Sequence, residues 1–338
     1  MIKRKFLKRL VVILLSIILG LGVILGGAIA YFRLPVSAYY KASEKAFIIP
    51  DIKNGYVPQG IHFDEDKEFF ILSGYWNDHS PSPIYLLDKK GITLKKVFLT
   101  ISGEKYDGHG GGVAVANGYL YLAGGENGCI YVFSYEDLLS VESGNSIESV
   151  GKIDLYQSKN DYLGVSFITV KGDRLITGEF YREGNYPTLE SHKITTKSGD
   201  YNQAIALEYK LNVESPFGVE QKPIKAYSMP NQVQGLAIND GKIYLSTSWG
   251  VSFSRLYEYD EENLEYQGEI NILGKTLPLY SMDSSSLVKE YKLPPMSEEI
   301  VFINDKLYVS CESASSKYLF GRLTGGKWIY KTDLTKIK

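Results

Sequence analysis

The chain opens on one long apolar run and then changes rhythm. Leu10 to Phe32 reads LVVILLSIILGLGVILGGAIAYF, without a charge and with Ser16 as its one clearly polar side chain. At about 1.5 Å rise per residue, a helix of this length crosses a hydrocarbon core of roughly 30 Å. Lys3, Arg4, Lys5, Lys8 and Arg9 precede the run. The positive-inside rule keeps them in the cytoplasm and sends the chain beyond the run to the other side. The expected organisation is a cytoplasmic basic region 1–9, a transmembrane signal-anchor helix 10–32, a stalk 33–46 and an extracytoplasmic domain 47–338. Such a chain is a single-pass protein of the cell membrane, held through residues 10–32. Ala28-Ile29-Ala30 offers a cleavage site after Ala30, so a removable signal peptide is the alternative. The run exceeds the apolar core of about 7 to 15 residues usual for such peptides.

Beyond the run, the pattern is alternation with period two, and it repeats. Each unit has a small or polar residue, Gly or its equivalent, an alternating strand, a tight turn and a second strand ending on a small residue. Gln59-Gly60-Ile61-His62-Phe63 leads to Phe69-Phe70-Ile71-Leu72-Ser73, and Gly112-Val113-Ala114-Val115 leads to Tyr119-Leu120-Tyr121-Leu122-Ala123. Ser166-Phe167-Ile168-Thr169-Val170 precedes Arg174-Leu175-Ile176-Thr177-Gly178. Gln234-Gly235-Leu236-Ala237-Ile238 precedes Lys242-Ile243-Tyr244-Leu245-Ser246, and Glu299-Ile300-Val301-Phe302 precedes Lys306-Leu307-Tyr308-Val309-Ser310. The intervals 112 to 123, 167 to 178, 235 to 246 and 299 to 310 are equal; the first copy is longer at its Asp64-Glu65-Asp66-Lys67 turn.

A third strand with aromatic alternation comes after each pair, as in Ile84-Tyr85-Leu86-Leu87-Asp88 or Leu256-Tyr257-Glu258-Tyr259-Asp260. A fourth is present in most units, as in Lys95 to Leu99 and Tyr266 to Ile270. Four antiparallel strands recurring every 50 to 70 residues or so make a β-propeller blade. The expected fold is therefore all-β, a β-propeller preceded by one transmembrane helix. Five blades are legible, and a sixth could lie within 181–230 or 261–297.

Composition narrows the function. After the basic N-terminus, 32 basic residues face 39 acidic ones, which disfavours nucleic acid as a partner. Cys129 and Cys311 are the only cysteines, and they fall in blades separated by the first, so two isolated buried thiols are expected. No phosphate-binding loop, G-x-S-x-G elbow or H-E-x-x-H motif occurs.

The turns between first and second strands are short, which leaves chemistry to the opposite rim. There the residues before the inner strands are Gln59, Gly111, Ser166, Gln234 and Glu298. The neighbouring loops add Tyr75, Trp76, Asn77, Glu126, Asn127, Glu179, Tyr181, Trp249, Glu312 and Tyr318. Aromatic faces beside amides and carboxylates suit a small molecule, a cell-envelope glycan or a protein. Gln59, Tyr75, Trp76, Asn77, Ser166, Tyr181, Gln234, Trp249 and Tyr318 are the candidate ligand contacts. The glutamines could instead bridge neighbouring blades, and the aromatics could cap the core. His109, in Asp107-Gly108-His109-Gly110-Gly111-Gly112, is the candidate general base, while His79 and His192 lie in polar loops and are expected to be solvated. Glu179, Glu298, Glu299 and Glu312 could share a calcium ion, since that cation takes six to eight oxygens.

The unit Val233-Gln234-Gly235-Leu236-Ala237, with Lys242 to Ser246 and Arg255 to Asp260, resembles the blades of propellers grouped with gluconolactonase, strictosidine synthase and paraoxonase. That resemblance implies a calcium ion held at the channel by Glu, Asn and Asp side chains of the inner strands, and lactonase or esterase activity. Of the inner positions here, only Glu298 supplies a matching carboxylate. A binding module working through its channel mouth is the first expectation; a calcium-dependent hydrolase with His109 as base is the alternative.

Overall fold

The computed structural model describes residues 2–125 and 128–337. Glu126 and Asn127, assigned by the sequence to a rim loop, lie outside them. Five four-stranded antiparallel blades succeed one another around an axis, and the outer strands of the first two pair in parallel through Ser146 and Phe98. Blade 1 comprises Tyr56–Asp64, Phe69–Trp76, Pro83–Asp88 and Thr93–Ile101, and blade 2 Val113–Ala116, Tyr119–Ala123, Cys129–Ser134 and Ser146–Asp154. Blade 3 comprises Phe167–Lys171, Arg174–Gly178, Ala204–Lys210 and Lys225–Met229, and blade 4 Val233–Asn239, Lys242–Thr247, Ser254–Asp260 and Leu287–Leu293. Blade 5 takes Ser297–Ile303, Lys306–Cys311 and Trp328–Thr332 from the C-terminal end and its outer strand, Ser43–Ile48, from the other. The inner strands of blades 1 to 5 each touch the next, and the fifth touches the first, so the ring is closed. The chain is a five-bladed β-propeller preceded by a long apolar helix.

The turns explain why the hairpins close where they do. Asn117-Gly118, Asp240-Gly241 and Asn304-Asp305 all have positive φ at both positions, the mirror-image turn whose twist matches the strands and which Asn, Asp and Gly tolerate best. At the ring's centre, glycine is required for close approach. A Cβ on Gly112 would sit 2.4 Å from the Ile168 nitrogen, and one on Gly235 2.6 Å from the Glu299 Cα.

Three expectations change. No sixth blade exists among the described residues. The 181–230 stretch holds two strands of blade 3 and a short pairing of Ile194–Thr195 with Tyr201–Asn202. The hairpin Glu265–Ile272 and Lys275–Ser281 runs parallel to the outer strand of blade 3, through Ala226 and Leu279, and widens that sheet. Tyr266 to Ile270 is thus not the fourth strand of blade 4, a place taken by Leu287–Leu293. Nor is 33–46 a free stalk: Val36 and Tyr39 are buried among residues of blades 4 and 5, and Ser43 already pairs with Thr332. Fastening the last blade with the first strand joins the chain's two ends by a hydrogen-bonded ladder, leaving no gap in the ring.

The helix Ile2–Arg33 is exposed along most of its length and is long and apolar enough to cross a membrane, a property that signal sequences share. Cys129 and Cys311 are both buried and free, as expected. Burial pushes the Cys311 thiol up to about 12.

Candidate functional site

Regular strands send successive side chains to opposite faces, so two adjacent glutamates should not share a channel. Blade 5 breaks that rule with a bulge: its ladder shifts register between Ser297 and Ile300, and Glu298 and Glu299 fall in the gap. Similar shifts hold Gln59 and Gly60 in blade 1 and Gln234 in blade 4. These irregularities line the mouth of the channel.

Glu299 crosses to the far side of the ring. Its Oε2 accepts the N–H of Ile61 at 2.8 Å and of Val113 at 3.2 Å, and its Oε1 that of Ile168 at 3.3 Å. One carboxyl group of blade 5 thereby fastens the inner strands of blades 1, 2 and 3. Burial raises its proton affinity well above the ordinary range, and the three N–H donors pull it back in part. On the turn side of this plug, the channel is a cavity of about 50 Å³ lined by His62, Ile168, Ala237 and Phe302. Desolvation lowers the pKa of His62 there to about 4, which keeps it neutral.

Glu298 lies on the other side, with Glu312. Gln59 Nε2 donates to Glu312 Oε2 at 3.1 Å and the Tyr318 hydroxyl to Oε1 at 2.8 Å. Lys317 Nζ donates to the Tyr75 hydroxyl at 2.5 Å, and the Tyr75 ring stacks on His109 at 4.5 Å and 30°. Burial raises Glu298 well above the ordinary carboxylate range, and the charges of Glu312 and Glu299 add to the shift. Burial likewise raises Glu312 to about 7, against the opposing pull of Tyr318, Lys317 and Gln59. Six buried side-chain polar atoms among the described residues have no hydrogen bond. Five are hydroxyls, and the sixth is Glu298 Oε1. A carboxyl oxygen left so is the costliest of them.

The mouth therefore joins Gln59, Tyr75, His109, Glu298, Glu312 and Tyr318, with Lys317 a member that sequence patterning did not single out. Its only cue was its place beside Tyr318. Other candidates go elsewhere. Trp76 packs against Tyr56 at 5.8 Å with Lys96 Nζ over its face, on the flank of blade 1, and Asn77 is exposed, its N–H on Gly55 O. Ser166 Oγ lies 3.1 Å from Gly178 O and 3.4 Å from Val233 O and shares its one hydrogen between them, a bridge from blade 3 to blade 4. Tyr181 is buried in the core between those blades, while Gln234 is half-buried in its bulge. Trp249 lies with Phe180 and Tyr186, and the Arg182 guanidinium covers its ring at 3.9 Å.

The calcium set does not assemble. Glu179 is 2% exposed and meets the Nδ1 of His192, itself 1% exposed, at 3.0 Å, so His192 is packed rather than solvated. With Glu299 committed to backbone, two carboxyl groups remain, beside the Lys317 cation. No cluster of three or more His, Cys, Asp or Glu side chains suited to a metal occurs among the described residues. The described residues do not gather the six to eight oxygens of a calcium ion.

No family model matches the chain, and no curated protein does. Of the likeness to the gluconolactonase group, the propeller is the part that the structure bears out. Solved structures that align with it include a glutaminyl cyclase of Myxococcus xanthus, at 11% identity over 86% of this chain and 97% of that one, with a TM-score of 0.40. A tail fibre of a Staphylococcus aureus phage aligns at 12% identity over 79% of this chain and 49% of that one, with a TM-score of 0.45. Likeness at this level says nothing of activity, and the fold rests on the strand topology.

Proposed function

We propose that the chain is a membrane-anchored, extracytoplasmic propeller that binds a ligand at its channel mouth through the Glu298 and Glu312 pair. The observation that carries this reading is the buried Glu298 Oε1, which no donor among the described residues reaches. An acceptor of this kind, beside a second carboxyl group and between tyrosines, suits a protonated amine, as on an amino sugar of an envelope glycan or the amino terminus of a peptide. Such a group would supply the missing hydrogen bond and offset the like-charge repulsion, while Tyr75 and Tyr318 offer ring surface to its carbon skeleton.

The test is thermal unfolding of the full chain in detergent with glucosamine or a short peptide, each against its N-acetylated form. The amine should raise Tm and the acetylated form should not, because a ligand bound only by the folded state stabilises by RT ln(1 + [L]/Kd). Glu298→Gln should remove the shift. Equal effects of both forms would sink the amine reading.

A second reading, a hydrolase, has one observation in its favour. Glu312, raised to about 7, suits general acid or base work near neutrality, and His109 stands close by on Tyr75. It works without the calcium ion, for which the residues do not fit.

A further inference from the structure

The long helix does not join the propeller at random. Phe32 is buried, Arg33 Nε donates to Leu323 O at 3.0 Å, and the Tyr31 ring lies 6.4 Å from that of Phe253. Leu323 belongs to the loop between the second and third strands of blade 5, and Phe253 to the corresponding loop of blade 4. Both loops stand on the rim that carries the channel mouth, so the helix leaves from that rim.

The same two loops expose large apolar side chains that have nothing to cover them. Leu319 is 80% exposed, Phe320 61% and Val251 55%, and Leu34 at the helix exit is 69% exposed. In the blade 5 loop, the exposed charged residues are Lys317, Arg322 and Lys327, all basic. Apolar tips flanked by cations, beside the root of an apolar helix, form a surface that fits the headgroup region of an anionic bilayer.

Resting on the membrane-anchor reading proposed for the helix, we infer that the blade 4 and blade 5 part of the mouth rim docks on the bilayer crossed by the helix. Leu319, Phe320 and Val251 enter the boundary between headgroups and acyl chains, and Arg322 and Lys327 meet lipid phosphates. The channel mouth consequently faces the membrane, and its ligands arrive along the bilayer surface.

The experiment uses the full chain in nanodiscs of phosphatidylcholine with and without phosphatidylglycerol. Single cysteines introduced as Leu319→Cys, Val251→Cys, Val213→Cys or Ser16→Cys carry an environment-sensitive fluorophore; the two native cysteines are buried. Val213, 71% exposed, stands in a loop on the opposite rim, and Ser16 lies within the helix. With brominated lipids, the labels at 16, 319 and 251 should be quenched several-fold more than that at 213. Phosphatidylglycerol should deepen the quenching at 319, and Arg322→Glu should reverse this gain. Quenching at 16 with 319 and 251 as water-exposed as 213 would overturn the docking surface while leaving the anchor intact. A water-exposed label at 16 would overturn both.

Discussion

Glu298 and Glu299 are neighbours in sequence, buried to the same degree, and opposite in condition. Glu299 has its oxygens occupied by three backbone N–H groups from three blades. Glu298 has an oxygen with no donor among the described residues and a second carboxyl group close by. The contrast separates a buried acid that holds a fold together from one that the fold tolerates. Where donors are fixed in the backbone, the carboxyl group is a structural staple; where they are missing, the site is left incomplete until something brings them.

The same chemical change at the two positions should then have opposite signs. Glu299→Gln turns amide hydrogens toward N–H donors, and Glu299→Ala leaves three buried N–H groups unpaired. We expect a loss of about 3–6 kcal/mol for the alanine variant and somewhat less for glutamine, read by urea unfolding. A neutral result would remove the staple. Gly112→Ala tests the same junction from the other side. Its Cβ would lie 2.4 Å from the Ile168 nitrogen and 2.7 Å from Glu299 Oε1, for an expected loss of about 2–4 kcal/mol.

Glu298→Gln should instead stabilise the unliganded protein above neutral pH, by about 1–3 kcal/mol, while losing the ligand-dependent shift in Tm. Activity and stability would trade places at this residue, and a destabilised variant would break the comparison.

Glu312 gives the pH dependence. Its folded pKa of about 7 lies above the ordinary value, so the folded state holds the proton more tightly than the unfolded one. Stability from this group is full below the ordinary carboxylate pKa and falls as pH rises through about 7, with a span of about 3 kcal/mol. Glu312→Gln should flatten the decline, measured as Tm between acid and alkaline buffers. Amine binding should strengthen across the same interval as Glu312 ionises. The smallest effect is reserved for Ser166→Ala, about 1 kcal/mol with ligand response unchanged, because that hydroxyl bridges blades and does not face the mouth.

Much of this architecture is legible along the chain. The inner and second strands carry local alternation and short Asn, Asp or Gly turns, so their five copies announce themselves. The closing strand Ser43–Ile48 does not, since its residues are largely exposed and its partner Trp328–Thr332 lies at the other end of the chain. The hairpin Glu265–Ser281 shows strand rhythm, but which sheet it joins depends on a parallel pairing between blades. At the site, Glu312, Tyr318, Tyr75 and His109 come together as their positions on one rim imply. Tyr181 turns into one core cluster and Trp76 packs half-buried against another, because aromatic area is better buried than left at the rim.

What the sequence determined by itself is what local chemistry controls. An uncharged run makes an apolar helix, period-two alternation with tight turns makes hairpins, and repetition at a steady interval makes blades. What only the tertiary structure decided is which polar groups find partners. A single bulge between Ser297 and Ile300 aims two adjacent glutamates inward, and three strands far apart in sequence supply donors to one of them alone. Hydrogen bonds depend on distance and direction across the ring, and neither is written in the order of residues along the chain.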